Sequence, residues 1–165
     1  MRLRELETDR DAAFICSLLN TPKFIKYIGD RDVRTIPEAA DFIRDRYQPS
    51  YATNGFGLYA VELLTDHTPI GICGFVRRDT LPGPDIGFAF LPEYEGKGYG
   101  FESASAIMRY GREKLALTTI YAITTLDNTA SGKLLVKLGF SGLEMINLPN
   151  GEKVDLYRYI NISSV

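Results

Sequence analysis

The sequence predicts an α/β fold, a mixed sheet with helices on both faces. Three observations carry this. Apolar runs at 56–64, 70–76 and 85–91 stand close together with turn residues between them, the pattern of strands joined by hairpins. Gly96, Gly98 and Gly100 then make a turn that leads at once into a helical pattern. A β-branched run at 119–126 follows that helix, so the hairpins lead into a β-α-β unit.

Taken in order, residues 2–7 suit a short first strand. Thr8-x-x-Asp11 has the spacing of a capping box, and Ala12, Ile15, Leu18 and Leu19 then recur at helical intervals. Asn20-Thr21-Pro22 ends that helix. Thr35-x-x-Glu38, with Pro37 in the first turn, starts another that carries Ala39, Phe42, Ile43 and Tyr47. The segment between them holds Phe24, Ile25, Tyr27 and Ile28, too apolar for a purely solvated loop. The strand at 85–91 is stopped by Pro92. Behind the glycines, Phe101, Ala104, Met108, Gly111 and Leu115 form one apolar helix face. Asp127 and Asn128 can cap a short helix with Leu134, Leu135 and Leu138 on one side, and Gly139 fits its end. Asn150-Gly151 marks a closing hairpin. The order is β-α-α-β-β-β-α-β-α-β-β.

A chain of 165 residues suits one domain spanning 1–165. Its net charge is −2 and it shows no basic stripe, which argues against direct nucleic-acid binding. The apolar runs are too short to span a bilayer and the N-terminus lacks the apolar core of a signal peptide, so the expected location is cytoplasmic and off the membrane. Cys16 and Cys73 have no ligand-like neighbours and read as small buried thiols. The lone histidine, His67, lies in a turn composition, so a His-rich metal site is not expected and no metal is predicted.

The chemistry points to Glu95-Gly96-Lys97-Gly98-Tyr99-Gly100. Glycine accepts φ > 0 and allows close backbone approach, and a helix start offers unpaired N–H groups with a partial positive charge. Strand, glycine turn and helix together make an anion site suited to a pyrophosphate. A Walker loop would need GxxxxGK followed by Ser or Thr, which is absent. A dinucleotide fingerprint would need a glycine where Phe101 stands. A ligand-free strand–helix turn is the plain alternative, but glycine density and Lys97, a point charge beside exposed amides, speak for phosphate.

Here the sequence resembles the GCN5-related N-acetyltransferases. Residues 91–100, Leu-Pro-Glu-Tyr-Glu-Gly-Lys-Gly-Tyr-Gly, are similar to that family's motif A, and Asn128-x-x-Ser131 through Lys137-Leu138-Gly139-Phe140 to its motif B. Lys26-Tyr27-Ile28-Gly29, Tyr59-Ala60-Val61-Glu62, Ile70-Gly71-x-Cys73-Gly74 and Asp85-Ile86-Gly87-Phe88 resemble the ribosomal-protein alanine acetyltransferase branch. The resemblance implies a mostly antiparallel sheet of about seven strands, splayed at a coenzyme site between the strands at 85–91 and 119–126. It implies acetyl-CoA as cosubstrate. The backbone amides of Phe88 and Phe90 would meet pantetheine and the acetyl carbonyl. Those of Gly96, Lys97, Gly98, Tyr99, Gly100 and Phe101 would hold the pyrophosphate. Asn128 would bind the coenzyme, with an ordinary helix cap as its other role. Glu95 departs from the family's usual Gln, Arg or Trp; it would repel phosphate if turned inward and matter little if backbone amides alone grip the phosphate. Leu135 stands where many members carry a tyrosine that protonates the thiolate, and Ser131, earlier on the same helix, is the implied substitute, with an ordinary short polar residue near a helix start as its other role.

The implied reaction is direct attack of a neutral amine on the thioester in a ternary complex. An α-amino group of pKa ~7.7–8.0 is substantially neutral near pH 7.5, whereas a lysine amine at ~10.4 is not. With no convincing histidine base, a peptide N-terminus or another weakly basic small-molecule amine is the easier acceptor. Asp85 is the nearest carboxylate, acting as base through water or simply hydrogen bonding at a strand start. Phe24, Tyr27 and Tyr47 are candidates to line the acceptor pocket, or a satellite core. The expected protein is a monomer or homodimer. A coenzyme A-binding regulatory module with weak catalysis, suggested by Glu95 and Leu135, is the alternative.

Overall fold

The computed structural model describes residues 1–161. The chain runs β1 (Arg2–Arg4), α1 (Thr8–Leu19), α2 (Pro22–Tyr27), α3 (Ile36–Phe42), α4 (Gln48–Asn54), β2 (Leu58–Glu62), β3 (Pro69–Val76) and β4 (Asp85–Phe90). It continues α5 (Tyr99–Glu113), β5 (Thr119–Thr125), α6 (Thr129–Lys137), β6 (Ser141–Asn147) and β7 (Lys153–Ile160). Seven strands form one sheet in the order β1-β2-β3-β4-β5-β7-β6. Every neighbouring pair is antiparallel except β4 with β5. The mixed, mostly antiparallel sheet is as expected.

Alternate strand residues separate two cores. Val61, Cys73, Phe75, Ile86 and Ile120 pack with Ala104, Ile107 and Met108 of α5 and Leu135 of α6. Ala60 and Ile72 face the other way, against Ile15, Leu18 and Leu19 of α1, Phe24 of α2 and Ala39 of α3. Period-two alternation thus buries both faces of the sheet.

The parallel contact is what positions the site. It is confined to one register pair, Asp85↔Tyr121, where the Tyr121 N–H donates to the Pro84 carbonyl at 2.9 Å. Past that pair, β4 loses β5 as a ladder partner, and the sheet opens as a wedge toward the C-terminal ends of both strands. Pro92 then ends β4 and begins a single 3₁₀ turn, Pro92–Tyr94.

Three local expectations need correction. Thr8 does not cap α1: the helix starts one residue earlier, with Glu7 as an N-cap that makes no side-chain cap bond, and the buried Asp11 accepts from the Glu7 N–H at 2.8 Å while also pairing with Arg4. The apolar segment after α1 is the short helix α2, capped by Thr21 and opened by Pro22. The helix begun by the Thr35–Glu38 capping box does form, but it passes through a π-helical turn at Ile43–Tyr47 into α4. Pro49 is the physical reason. It lacks an N–H and its ring crowds the carbonyl four residues back, so the ladder widens just before it. The closing hairpin forms as expected, with the Gly151 N–H donating to the Leu148 carbonyl at 2.8 Å.

A candidate active site at the splayed strands

The backbone of β4 decides what faces the wedge. Leu91 donates its N–H to the Ile70 carbonyl on β3 at 2.9 Å. Antiparallel ladders alternate, and the pairs Gly71↔Phe90 and Cys73↔Phe88 are the ones that exchange no bonds with β3. The N–H groups of Phe88 and Phe90 therefore point away from β3, into the wedge. Their side chains pack on the α5–α6 core, while Ala89 and Leu91 pack on the opposite one.

The glycine turn follows directly. Gly96 and Gly98 adopt left-handed φ of +70° and +85°. Gly98 is the N-cap of α5, and its carbonyl accepts from the Glu102 N–H at 3.0 Å. A Cβ on Gly96 or Gly98 would meet nothing within 4 Å, so the outer side of the turn is open. The N–H groups of Tyr99, Gly100 and Phe101 occupy the first turn of α5, where no intrahelical acceptor exists. Ser103 braces that turn from within, its hydroxyl donating to the Tyr99 carbonyl at 2.8 Å. The Lys97 ammonium stands 5.7 Å from the centre of the Tyr94 ring.

Glu95 does not turn toward the amides unopposed, since its carboxylate pairs with Lys23 of α2. One turn further along α2, Lys26 pairs with Asp127 at 2.9 Å. Glu95 follows β4 and Asp127 follows β5, so α2 is tied to both lips of the wedge. Lys26 also donates to the Tyr27 hydroxyl at 3.2 Å.

The α6 side holds Asn128 and Ser131. Asn128 is the N-cap, its Oδ1 accepting from the Ser131 N–H at 3.3 Å, so the cap role is realised and its amide nitrogen is left over. Ser131 is half-buried, and among the described residues its hydroxyl has no hydrogen-bond partner. Leu135 is in the core at 1% exposure.

Asp85 sits at the closed end of the wedge. It is 1% exposed, and the Arg78 Nε lies 3.1 Å from both carboxylate oxygens. Burial pushes its pKa up to about 6 against the pull of the Arg78 charge. Phe24 is 4% exposed and belongs to the α1–α3 core. Tyr47 packs on that core edge-on to Phe42 at 5.2 Å, and burial pushes its hydroxyl up to about 12. Tyr27 is half-buried beside Lys26. The aromatic trio is thus divided: two residues sit in packing, one at the lip.

Sequence reasoning missed Arg78, Lys23 and Lys26. All three act through carboxylates on other elements, and only the i, i+3 spacing of the two lysines within an apolar segment hinted at a shared face. Among the described residues, no helix is long and apolar enough to cross a membrane.

Residues 1–141 match the model of the acetyltransferase (GNAT) domain. The uncharacterized N-acetyltransferase p20 of Bacillus licheniformis is 30% identical over 165 residues, covering 96% of this chain and 90% of its own. The fold is similar to that of ribosomal-protein-S5-alanine acetyltransferase from Vibrio fischeri, with TM-score 0.79 and 22% identity over 98% of this chain and 93% of that one. It is also similar to a spermidine N-acetyltransferase SpeG chimera from Vibrio cholerae and hSSAT, with TM-score 0.73 and 20% identity over 96% and 92% of the two chains. The chain belongs to the GNAT acetyltransferases, a family that uses acetyl-CoA as cosubstrate, and is an N-acetyltransferase.

Proposed function

We propose that this enzyme moves the acetyl group of acetyl-CoA to a primary amine, a peptide N-terminus or a small-molecule amine, by direct attack in a ternary complex. The observation that carries this reading is the wedge whose β4 edge presents the amides of Phe88 and Phe90 and ends in an open glycine turn. That arrangement fits an extended, anionic thioester coenzyme. Acetyl-CoA would supply an activated acyl carbonyl and a thiolate leaving group.

In this reading the amides of Phe88 and Phe90 bind the pantetheine arm and polarise the acyl oxygen, a donor set that needs no reorganisation. The amides of Gly96 to Phe101 and the Lys97 ammonium hold the pyrophosphate. Asn128, with its Oδ1 spent on capping, contributes its amide N–H. The Lys23–Glu95 pair offsets the Glu95 carboxylate beside the phosphate site, which weakens one motive for the non-catalytic alternative. Tyr27 lines the acceptor's approach, while Phe24 and Tyr47 pack in the α1–α3 core. Asp85, ionised above about pH 6 and fixed by Arg78, serves as proton acceptor through water at the closed end. A single buried carboxylate suits an α-amino group, whose pKa of ~7.7–8.0 leaves little deprotonation to do.

The test is free-thiol release from acetyl-CoA across a panel of amino acids, peptides with free N-termini, polyamines and aminoglycosides. Peptides or monoamines should give the highest kcat/KM. Coenzyme binding without thiol release on any acceptor would sink the catalytic reading.

In this reading Ser131 donates a hydrogen bond to sulfur as charge builds there. Ser131→Ala is expected to lower kcat by about 10- to 100-fold, the low end of acid assistance because a thiolate leaves readily. Coenzyme affinity by calorimetry should hold, the mark of an interaction made mainly in the transition state. An unchanged kcat would retire the role, and a large loss of coenzyme affinity would move Ser131 to binding.

A further inference from the structure

A cavity of about 390 Å³ lies between α6 and the β5–β7 ladder. Thr129, Lys133 and Val136 line it at four- and three-residue spacing, so they share one flank of α6. Ser131 and Leu134 share the other flank, and the Leu134 Cδ2 lies 3.4 Å from where a Gly100 Cβ would stand at the start of α5. The cavity therefore opens on the side of α6 turned away from α5 and the glycine turn. Asn128, at the helix start, borders both sides.

The floor of the cavity is polar. Thr124 of β5 and Tyr157 of β7 are each 8% exposed. Neither hydroxyl has a hydrogen-bond partner among the described residues, and no side-chain polar atom there is both sealed and unpartnered, so both hydroxyls look into the cavity. The Tyr157 hydroxyl stands 2.7 Å from where a Gly132 Cβ would be, so glycine is what lets it reach up beneath the helix. Buried polar groups are nearly always paired, and these two call for a partner from outside the chain. Asp155 is the register partner of Thr124 on β7, and its half-buried carboxylate lines the same cavity. Neither Asp155 nor the exposed Lys133 forms an ion pair among the described residues, with each other or with any other group. Leu126 and Val136, 50% and 62% exposed, make an apolar rim.

One anion, one cation, two hydroxyls and an aliphatic rim define the occupant. A carboxylate takes only donors and an ammonium only acceptors. A polycation would meet Lys133 and a polyanion would meet Asp155, whereas a zwitterion satisfies both. We propose that this cavity is a second ligand site, which takes a free α-amino acid with an aliphatic side chain. The ligand's ammonium pairs with Asp155 and donates to the Thr124 and Tyr157 hydroxyls, its carboxylate pairs with Lys133, and its side chain packs on Leu126 and Val136. The volume is in the range of small-molecule sites, which combine apolar walls with a few convergent polar groups. β5 stands between β7 and the β4 amides, so an amino group held by Asp155 is not presented to a thioester in the wedge. The ligand is seated instead against α6, and its binding does not depend on where the coenzyme lies.

The experiment is calorimetry with leucine, leucinamide and 4-methylpentanoate on wild type, Asp155→Asn, Lys133→Met and Tyr157→Phe. Leucinamide lacks the carboxylate and 4-methylpentanoate lacks the ammonium. Wild type should bind leucine at millimolar concentration or below and each analogue about tenfold more weakly, in line with the loss of one charge-assisted hydrogen bond. Asp155→Asn should lose the discrimination against 4-methylpentanoate, and Lys133→Met the discrimination against leucinamide. Tyr157→Phe should weaken all ligands that carry an ammonium. Coenzyme A affinity should be the same in all four proteins, which separates the cavity from the wedge. The proposal is overturned if wild type does not bind leucine, if spermidine binds more tightly than leucine, or if the variants discriminate as wild type does. Acetylation of leucine with a KM that Asp155→Asn raises would also overturn it, by making the cavity the seat of the acceptor. Wild type that binds leucine but no coenzyme A would remove the coenzyme reading and leave this site standing.

Discussion

Arg4→Met is expected to destabilise the fold by about 3–5 kcal/mol, the range for breaking a buried ion pair and leaving its partner charged. Arg4 joins β1 to α1 and β2: its guanidinium donates to Asp11 at 2.7 and 2.8 Å and to Glu62 at 2.6 Å. Asp11 and Glu62 are both at 0% exposure and Arg4 at 8%. Burial pushes the Glu62 pKa up, but hydrogen bonds from Arg4 and His67 and the charges of Arg4 and Arg10 outweigh it and hold the carboxyl below its ordinary value. Glu62 would keep Arg10, which reaches it at 2.6 Å, so most of the loss falls on Asp11, left with the Glu7 N–H at 2.8 Å. Urea unfolding at pH 7 measures the deficit. Adding Asp11→Asn to Arg4→Met should recover a large part of it, since the uncompensated charge goes. A deficit under about 1 kcal/mol would mean the corner relaxes and admits water, the value typical of exposed pairs.

That network explains why two identical-looking signals had different fates. Thr35-x-x-Glu38 and Thr8-x-x-Asp11 share a spacing, yet only the first forms a capping box. Glu38 has partners within its own turn, the Thr35 and Arg34 N–H groups at 3.0 and 2.8 Å. Asp11 accepts from the Arg4 guanidinium and, at 2.8 Å, from the N–H of Glu7, so the start of α1 closes on Glu7, one residue before Thr8. Local chemistry was legible wherever both partners lay on one element: Asn128 as cap, the left-handed glycines, the closing hairpin, and β4 stopped by Pro92. The wedge was legible only through family resemblance, because no spacing states that a parallel pairing stops after one pair. Lys23–Glu95 and Lys26–Asp127 were not legible at all, since each joins α2 to a lip far away in sequence. The aromatic residues Phe24 and Tyr47 fit equally a pocket or a core by composition, and only the placement of α1 and α3 around them decided for packing. The π-helical turn had its signal in Pro49, whose effect falls several residues upstream of itself.

Gly98→Leu is expected to weaken coenzyme A binding on the order of 100-fold, with Gly98→Ala intermediate. The two variants share one backbone cost. Any side chain at φ +85° is strained, by about 1–2 kcal/mol for a residue forced into the left-handed region. Leucine is not β-branched, so it adds little further strain there. Nor does the protein crowd the start of the larger side chain, because nothing lies within 4 Å of a Cβ at this position. Thermal and urea unfolding should therefore show alanine and leucine variants similarly destabilised and both folded. Affinity should separate them, since the space that is open in the free enzyme is the space the pyrophosphate must enter to reach the amides of α5. The difference between leucine and alanine in coenzyme affinity, set against their equal stability, isolates obstruction of a ligand from distortion of the turn. Calorimetry on both variants reads it directly. A folded Gly98→Leu enzyme with wild-type affinity would place the phosphates elsewhere and would remove the glycine turn from the binding site.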